Sequence, residues 1–269
     1  MRAAFKIAYD GVAFHGFARQ PNVRTVEGEV LLALGRAGVI DTLKDPRLRG
    51  ASRTDRGVSA LGNVVAFDSI RSAIPAVRAF NGKARGVWAW AVAEVPDDFN
   101  VRRARERWYR YLLSPDHDET RLGTAAAIFV GEHDFRNFTK DRSRTSARID
   151  AVSAGRTGDA VVLDFRAPGF RWNLVRRLVA AALEVEAGRA TVEDVERALD
   201  GPARADFGLA PAESLTLMDV AYDFEFRRVP DPTTVTRIRR LREERTRSFR
   251  FSEALSGRFA SLARTARNG

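Results

Sequence analysis

Apolar and polar positions alternate in register from the first residues of the chain. Phe5, Ile7 and Tyr9 alternate with Lys6 and Ala8, which predicts a half-buried strand ended by Asp10-Gly11. Thr25 can cap a helix whose apolar face is Val26, Val30, Leu31 and Leu34. Val64-Val65-Ala66-Phe67 follows the turn signal Gly62-Asn63 as a strand, and Gly86 to Val92 is another. Tyr109, Tyr111 and Leu113 share one face of a further strand, as alternation requires. Val161 to Phe165 is strand-like, and Pro168-Gly169 then turns the chain. A helix starting near Phe170 carries the stripe Leu174, Val175, Leu178, Val179, Ala182 and Leu183, with Gly188 as its stop. Thr191 caps a short helix closed by Gly201. Met218, Val220, Tyr222 and Phe224 alternate out of phase with Leu215 and Leu217, which predicts a bulge or a strand buried on both faces.

Strands and helices thus alternate irregularly, without a dinucleotide-binding glycine fingerprint or a phosphate-loop lysine motif. The pattern predicts a mixed α/β chain. Its 269 residues suffice for one large domain or two fused smaller ones.

Composition narrows the chemistry. The absence of Cys excludes disulfides and Cys-ligated metal sites. His15, His117 and His133 are too widely spaced to suggest a metal cluster, so neither metal nor cofactor is expected. No apolar run reaches the length of a membrane span, and the first residues lack a signal-peptide core. The expectation is a cytoplasmic protein.

Charge points to a polyanionic partner. The formal net charge is +10. From Arg227 to Gly269 there are twelve Arg against Asp231, Glu243, Glu244 and Glu253, so this stretch carries most of the excess. It opens at Pro230-Asp231-Pro232, and Val235, Ile238 and Leu241 then recur at helical intervals. A basic amphipathic helix that contacts RNA is expected, since arginine both pairs with phosphate and stacks on bases.

The most informative segment is Arg53-Thr54-Asp55-Arg56-Gly57-Val58-Ser59-Ala60. It places a carboxylate between two guanidinium groups, with a glycine two residues on that lets the backbone turn. The local reading is strand–loop–strand with Asp55 at the loop tip. Flanking cations hold such an aspartate ionised, fit to act as a nucleophile, a metal ligand or half of a salt bridge.

This octapeptide resembles the signature of the tRNA pseudouridine synthase A family. Four further segments resemble that family in the same order. They are Tyr9-Asp10-Gly11 with Phe14, Gly16, Phe17 and Gln20; Tyr109-Arg110-Tyr111; Gly131-Glu132-His133-Asp134-Phe135; and Phe170 to Arg176. Ala210 to Leu217 resembles the closing motif, with Ser214 where glycine is usual. The resemblance covers about residues 3 to 224.

The resemblance implies two ferredoxin-like halves whose sheets join into one continuous, mostly antiparallel sheet with a cleft between them. Residues 1–102 would form the first half, 103–226 the second, and 227–269 a basic extension. It implies a homodimer that isomerises uridine to pseudouridine in tRNA without a cofactor, at about positions 38–40 of the anticodon stem-loop. Asp55 is then the nucleophile and Tyr109 stacks on the flipped base. Arg53 fills the vacated stack or holds phosphate, and Arg176 pairs with Asp55. The apolar residue near the uracil is Leu215 or Leu217, with Leu217 carried as the candidate. His133 and Asp134 fall in a segment that is chiefly structural in the family. The alternative function is a non-catalytic RNA-binding protein on the same scaffold.

Overall fold

The computed structural model describes residues 1–41, 46–200 and 204–265. The chain forms two compact units, Met1–Val229 and Pro230–Gly269.

The first unit is built from two successive βαββαβ passages. The first runs β1 (Arg2–Tyr9), a one-turn 3₁₀ helix (Gly11–Ala13), α1 (Val26–Arg36), β2 (Arg49–Gly50), β3 (Ser59–Asp68), α2 (Ala73–Lys83) and β4 (Val87–Val95). The second runs β5 (Glu106–Leu113), α3 (Glu119–Ala127), the separate hairpin β6 (Gly131–Asp134) and β7 (Ser146–Ile149), then β8 (Ala151–Thr157), β9 (Ala160–Ala167), α4 (Leu174–Glu186), α5 (Val192–Asp200) and β10 (Leu215–Ala221). A last short strand, β11 (Arg227–Arg228), pairs with β4.

The sheet order is β11-β4-β1-β3-β10-β5-β9-β8, with β2 also on β3. Numbered within each passage, both halves show the ferredoxin-like order 4-1-3-2, so the expected architecture holds. The halves meet where Ser59 and Ala60 of β3 pair in parallel with Thr216 and Leu217 of β10. Every other pairing among the described residues is antiparallel.

That seam has an unusual edge. The far end of β3 pairs with β2 through Val65 and Ala66, and its near end pairs with β10. Along one edge of β3, β2 therefore gives way to β10, and residues 51–58 loop out at the changeover. The fold delivers the Asp55 loop to the junction of the two halves.

Local chemistry explains the elements. Thr25 caps α1 by accepting a hydrogen bond from the Gly28 amide at 3.3 Å. Thr191 and Asp194 exchange side-chain and backbone bonds at the start of α5 as a capping box. Gly201, expected past its end, lies outside the described residues. β1, expected to be half-buried, is buried on both faces, because Lys6 finds a partner in Asp219; Phe5 packs edge-on to Phe67 and against Phe80 of α2. The phase slip read at Met218 is a bulge, for the β10–β5 register shifts between Leu217 and Asp219.

Two further expectations need correction. Gly62-Asn63 is no turn but lies inside β3, because the buried Asn63 amide finds partners in Ser52 and Tyr9 and so tolerates a strand interior. The helix expected from Phe170 begins at Leu174, because Asn173 is left-handed (φ 63°) and breaks the helical path.

The second unit holds α6 (Pro232–Thr265). The Pro-Asp-Pro sequence starts this helix: Asp231 accepts from the Thr234 amide at 3.0 Å, and Pro232 takes the first helical position, where no donor is needed.

Candidate active site at the seam of the two halves

The Asp55 loop is held from beneath by a buried polar network. Tyr9 hydroxyl and Thr54 hydroxyl bond at 2.8 Å, and Asn63 donates to Tyr9 at 3.1 Å. Asn63 also accepts from the Ser52 amide and donates to the Ser52 carbonyl. Satisfied networks of this kind rigidify the backbone above them. The loop tip turns at Gly57 (φ +89°), where a side chain would also meet Glu213. Beside it Gly11 lets the 3₁₀ helix approach so closely that a Cβ would lie 2.2 Å from the Val58 carbonyl oxygen.

Asp55 is half-buried, and its partners come from the second half. Arg176, in the first turn of α4, places Nη1 3.1 Å from Asp55 Oδ2. Its Nε donates to the Ala210 carbonyl at 2.7 Å, which fixes the guanidinium plane. Asn173 Nδ2 donates to the same Oδ2. The flanking Arg53 and Arg56, expected to hold the carboxylate, are exposed, and the hydrogen bonds to Asp55 come instead from Arg176 and Asn173. Periodicity left Arg176 and Arg177 equivalent; in the structure Arg177 pairs with Asp206 at 3.0 Å.

The floor is apolar. Tyr109 is buried on β5 and faces Leu217 across the β5–β10 pairing, and Leu217 in turn pairs with Ala60 just beyond the Asp55 loop. Leu215 faces Tyr111 one step further away. The Tyr109 ring meets Phe170 edge-on, with centroids 5.2 Å apart. Burial pushes its hydroxyl above the ordinary tyrosine range, against the opposing pull of Ser52 and Arg107. Arg110, between the two tyrosines, points to the other face and pairs with Asp164 at 2.8 Å. His133 lies in β6 with its ring 3.2 Å from the Val130 carbonyl, and Asp134 pairs with Arg136.

Two contributors escaped sequence reasoning. Asn173 has no role among the sequence expectations, although it lies within the Phe170–Arg176 segment that resembles the family. Arg107 is buried and bonds Ser52 Oγ at 3.1 Å, the Ala51 carbonyl at 3.0 Å, the Arg102 carbonyl at 2.9 Å and the Pro168 carbonyl. It thereby ties the base of the Asp55 loop to the loop that leads into α4. Among the four arginines of residues 102–107 nothing in the sequence distinguishes it.

A carboxylate paired with a guanidinium beside an apolar floor and an aromatic ring fits an enzyme that handles a planar base. Comparison with known proteins agrees. A family model described as tRNA pseudouridine synthase matches residues 125–223. The tRNA pseudouridine synthase A of Thermococcus sibiricus is 40% identical over 230 residues, covering 83% of this chain and 85% of that protein. The Methanothermobacter thermautotrophicus enzyme of the same name is 38% identical over 260 residues, covering 93% and 91%. A chain of a Cbf5-Nop10-Gar1 complex overlays 68% of this chain and 44% of its own at 12% identity and TM-score 0.36, too loosely to argue from. The chain is thus a member of the pseudouridine synthases, a class of isomerases. Within that class it belongs to the tRNA pseudouridine synthase A family. The Methanothermobacter match leaves too little of the chain out to omit all of residues 227–269, so the likeness runs into the basic extension, which had been set outside it.

Proposed function

We propose that this protein isomerises uridine to pseudouridine in tRNA, with Asp55 as the nucleophile. The single observation that carries the reading is the Arg176–Asp55 pair at the seam, in a chain 40% identical to enzymes of that name. In the net reaction the N1–C1′ bond breaks and a C5–C1′ bond forms. The proton on C5 leaves, and N1 gains one. The uridine must first leave its stack, at a cost of a few kcal/mol. Tyr109 and Leu217 then bound the flipped base, while Arg176 keeps Asp55 aimed. Arg53, exposed at the loop, is free to fill the vacated stack or to hold phosphate.

The family resemblance carries finer expectations that belong to the same proposal. The target uridines lie at about positions 38–40 of the anticodon stem-loop, and the protein works as a cytoplasmic homodimer. The two halves divide near residue 102, and the basic extension contacts RNA. No described helix is long and apolar enough to cross a membrane.

The test is release of tritium from uracil C5 of an unmodified tRNA transcript, wild type against Asp55→Ala. Release by wild type with a loss of roughly 10⁴-fold or more in the variant supports both activity and nucleophile. Equal release by both proteins overturns the role of Asp55. Tight binding by wild type without release supports the binding-only alternative.

A further inference from the structure

We propose that Trp172, with Lys140 beside it, is a stacking platform for an unpaired base of the substrate RNA outside the uracil pocket. The inference rests on the functional reading above and extends it to a contact on the rim of the same site.

Trp172 is 55% exposed, although tryptophan is among the side chains that gain most from burial. A single exposed apolar residue needs no explanation in itself. This one is held in place. Its amide donates to Asp141 at 3.2 Å, and its carbonyl accepts from the Lys140 amide at 3.1 Å and from the Thr139 hydroxyl at 3.1 Å. The backbone on both sides is also fixed. Arg171 bonds the Ser146 carbonyl, and Asn173, left-handed at φ 63°, bonds Asp55. The indole is therefore presented from a rigid turn whose next side chain touches the candidate nucleophile.

Its surroundings match a nucleotide. The Lys140 ammonium lies 5.3 Å from the centroid of the indole ring, a cation–π arrangement that orients the ring while adding positive charge beside it. Arg142 and Arg144, on the same 139–145 loop, are exposed. A flat π-face flanked by cations is how proteins hold unstacked bases and the phosphates that join them. Tyr109 cannot serve this purpose, since it is buried.

The experiment uses the full-length protein and an unmodified tRNA transcript, with wild type, Trp172→Ala and Trp172→Phe compared in tritium release and in binding. A stacked base is worth roughly 1–3 kcal/mol, so Trp172→Ala should raise KM and Kd by about tenfold while kcat falls far less. Trp172→Phe should recover most of that loss. Addition of the transcript should quench wild-type tryptophan fluorescence more than that of either variant, since Trp88, Trp90 and Trp108 remain. Unchanged KM and Kd in Trp172→Ala, or a Phe variant no better than Ala, overturns the platform. A fall in kcat at constant KM also overturns it, because Trp172 would then act only by supporting Asn173. If wild type binds without turnover, the functional reading fails; Kd and quenching still decide the platform.

Discussion

Asn173 and Arg176, one helical turn apart, donate to the same oxygen of Asp55, Oδ2. Among the described residues every hydrogen bond to this carboxylate ends on that atom. The left-handed backbone at Asn173 starts α4 late enough for both side chains to converge.

Arg176→Lys should lower kcat by about 10²-fold, with KM changed much less. One ammonium cannot reach both Asp55 and the Ala210 carbonyl as the guanidinium does. Steady-state tritium release measures this, and a lysine variant with near-normal kcat would remove the pairing from the mechanism.

Asn173 separates backbone from side chain. Asn173→Gly accepts the positive φ and loses only the bond to Asp55, so turnover should drop while the melting temperature holds. Asn173→Ala should lose the same activity and about 1–2 kcal/mol of stability, the cost of a left-handed Cβ residue. Equal melting temperatures for the two variants would show that the strain is relieved elsewhere.

Arg107 is a buried cation bonded to three carbonyl oxygens and a hydroxyl. Arg107→Met orphans these acceptors and should cost about 3 kcal/mol in denaturant unfolding. A loss below about 0.5 kcal/mol, the range of an ordinary surface substitution, would mean that the tie between the halves is made elsewhere.

Truncation after Val229 is the appropriate test of the basic extension, because β11 and the Val229 amide belong to the first unit through β4 and Trp90. The shortened protein should bind tRNA more weakly and with a flatter salt dependence, while turnover at saturating RNA changes little. An unchanged salt slope would separate α6 from RNA binding.

The four tyrosines, Tyr9, Tyr109, Tyr111 and Tyr222, are all raised above the ordinary tyrosine range, in each case chiefly by burial. Above about pH 10 the unfolded chain loses these protons while the native one keeps them. Their stabilising contribution is therefore complete below that pH and declines as pH rises toward the native values, by up to ~1.4 kcal/mol per pH unit for each tyrosine. Tyrosinate absorbance should appear together with loss of circular dichroism. Titration near pH 10 with the fold intact would contradict the burial.

Much of the architecture was legible from local rules. Thr25 and Thr191 are caps whose partners lie three residues away, and the phase slip at Met218 is visible because alternation has a fixed period of two. The misreadings at Gly62-Asn63 and Phe170 have a common origin. Asn63 is a turn former until Ser52 and Tyr9 satisfy its amide, and a helix can begin at Phe170 until Asn173 turns left-handed beside Asp55.

The candidate site divides in the same way. Asp55, Tyr109, Arg53, Arg176 and Leu217 could be nominated because their motifs are contiguous in the chain. Periodicity alone could not choose Arg176 over Arg177, nor find Asn173 and Arg107. The partners of Arg176, Asn173 and Arg107 lie 121, 118 and 55 residues away. Strand periods, caps and turns depend on neighbours within a few residues, so the sequence by itself determined them. The choice of which guanidinium meets the carboxylate was decided only when β10 displaced β2 along the edge of β3 and brought the two halves together. Charge pairing acts through space, and only the tertiary structure sets those distances.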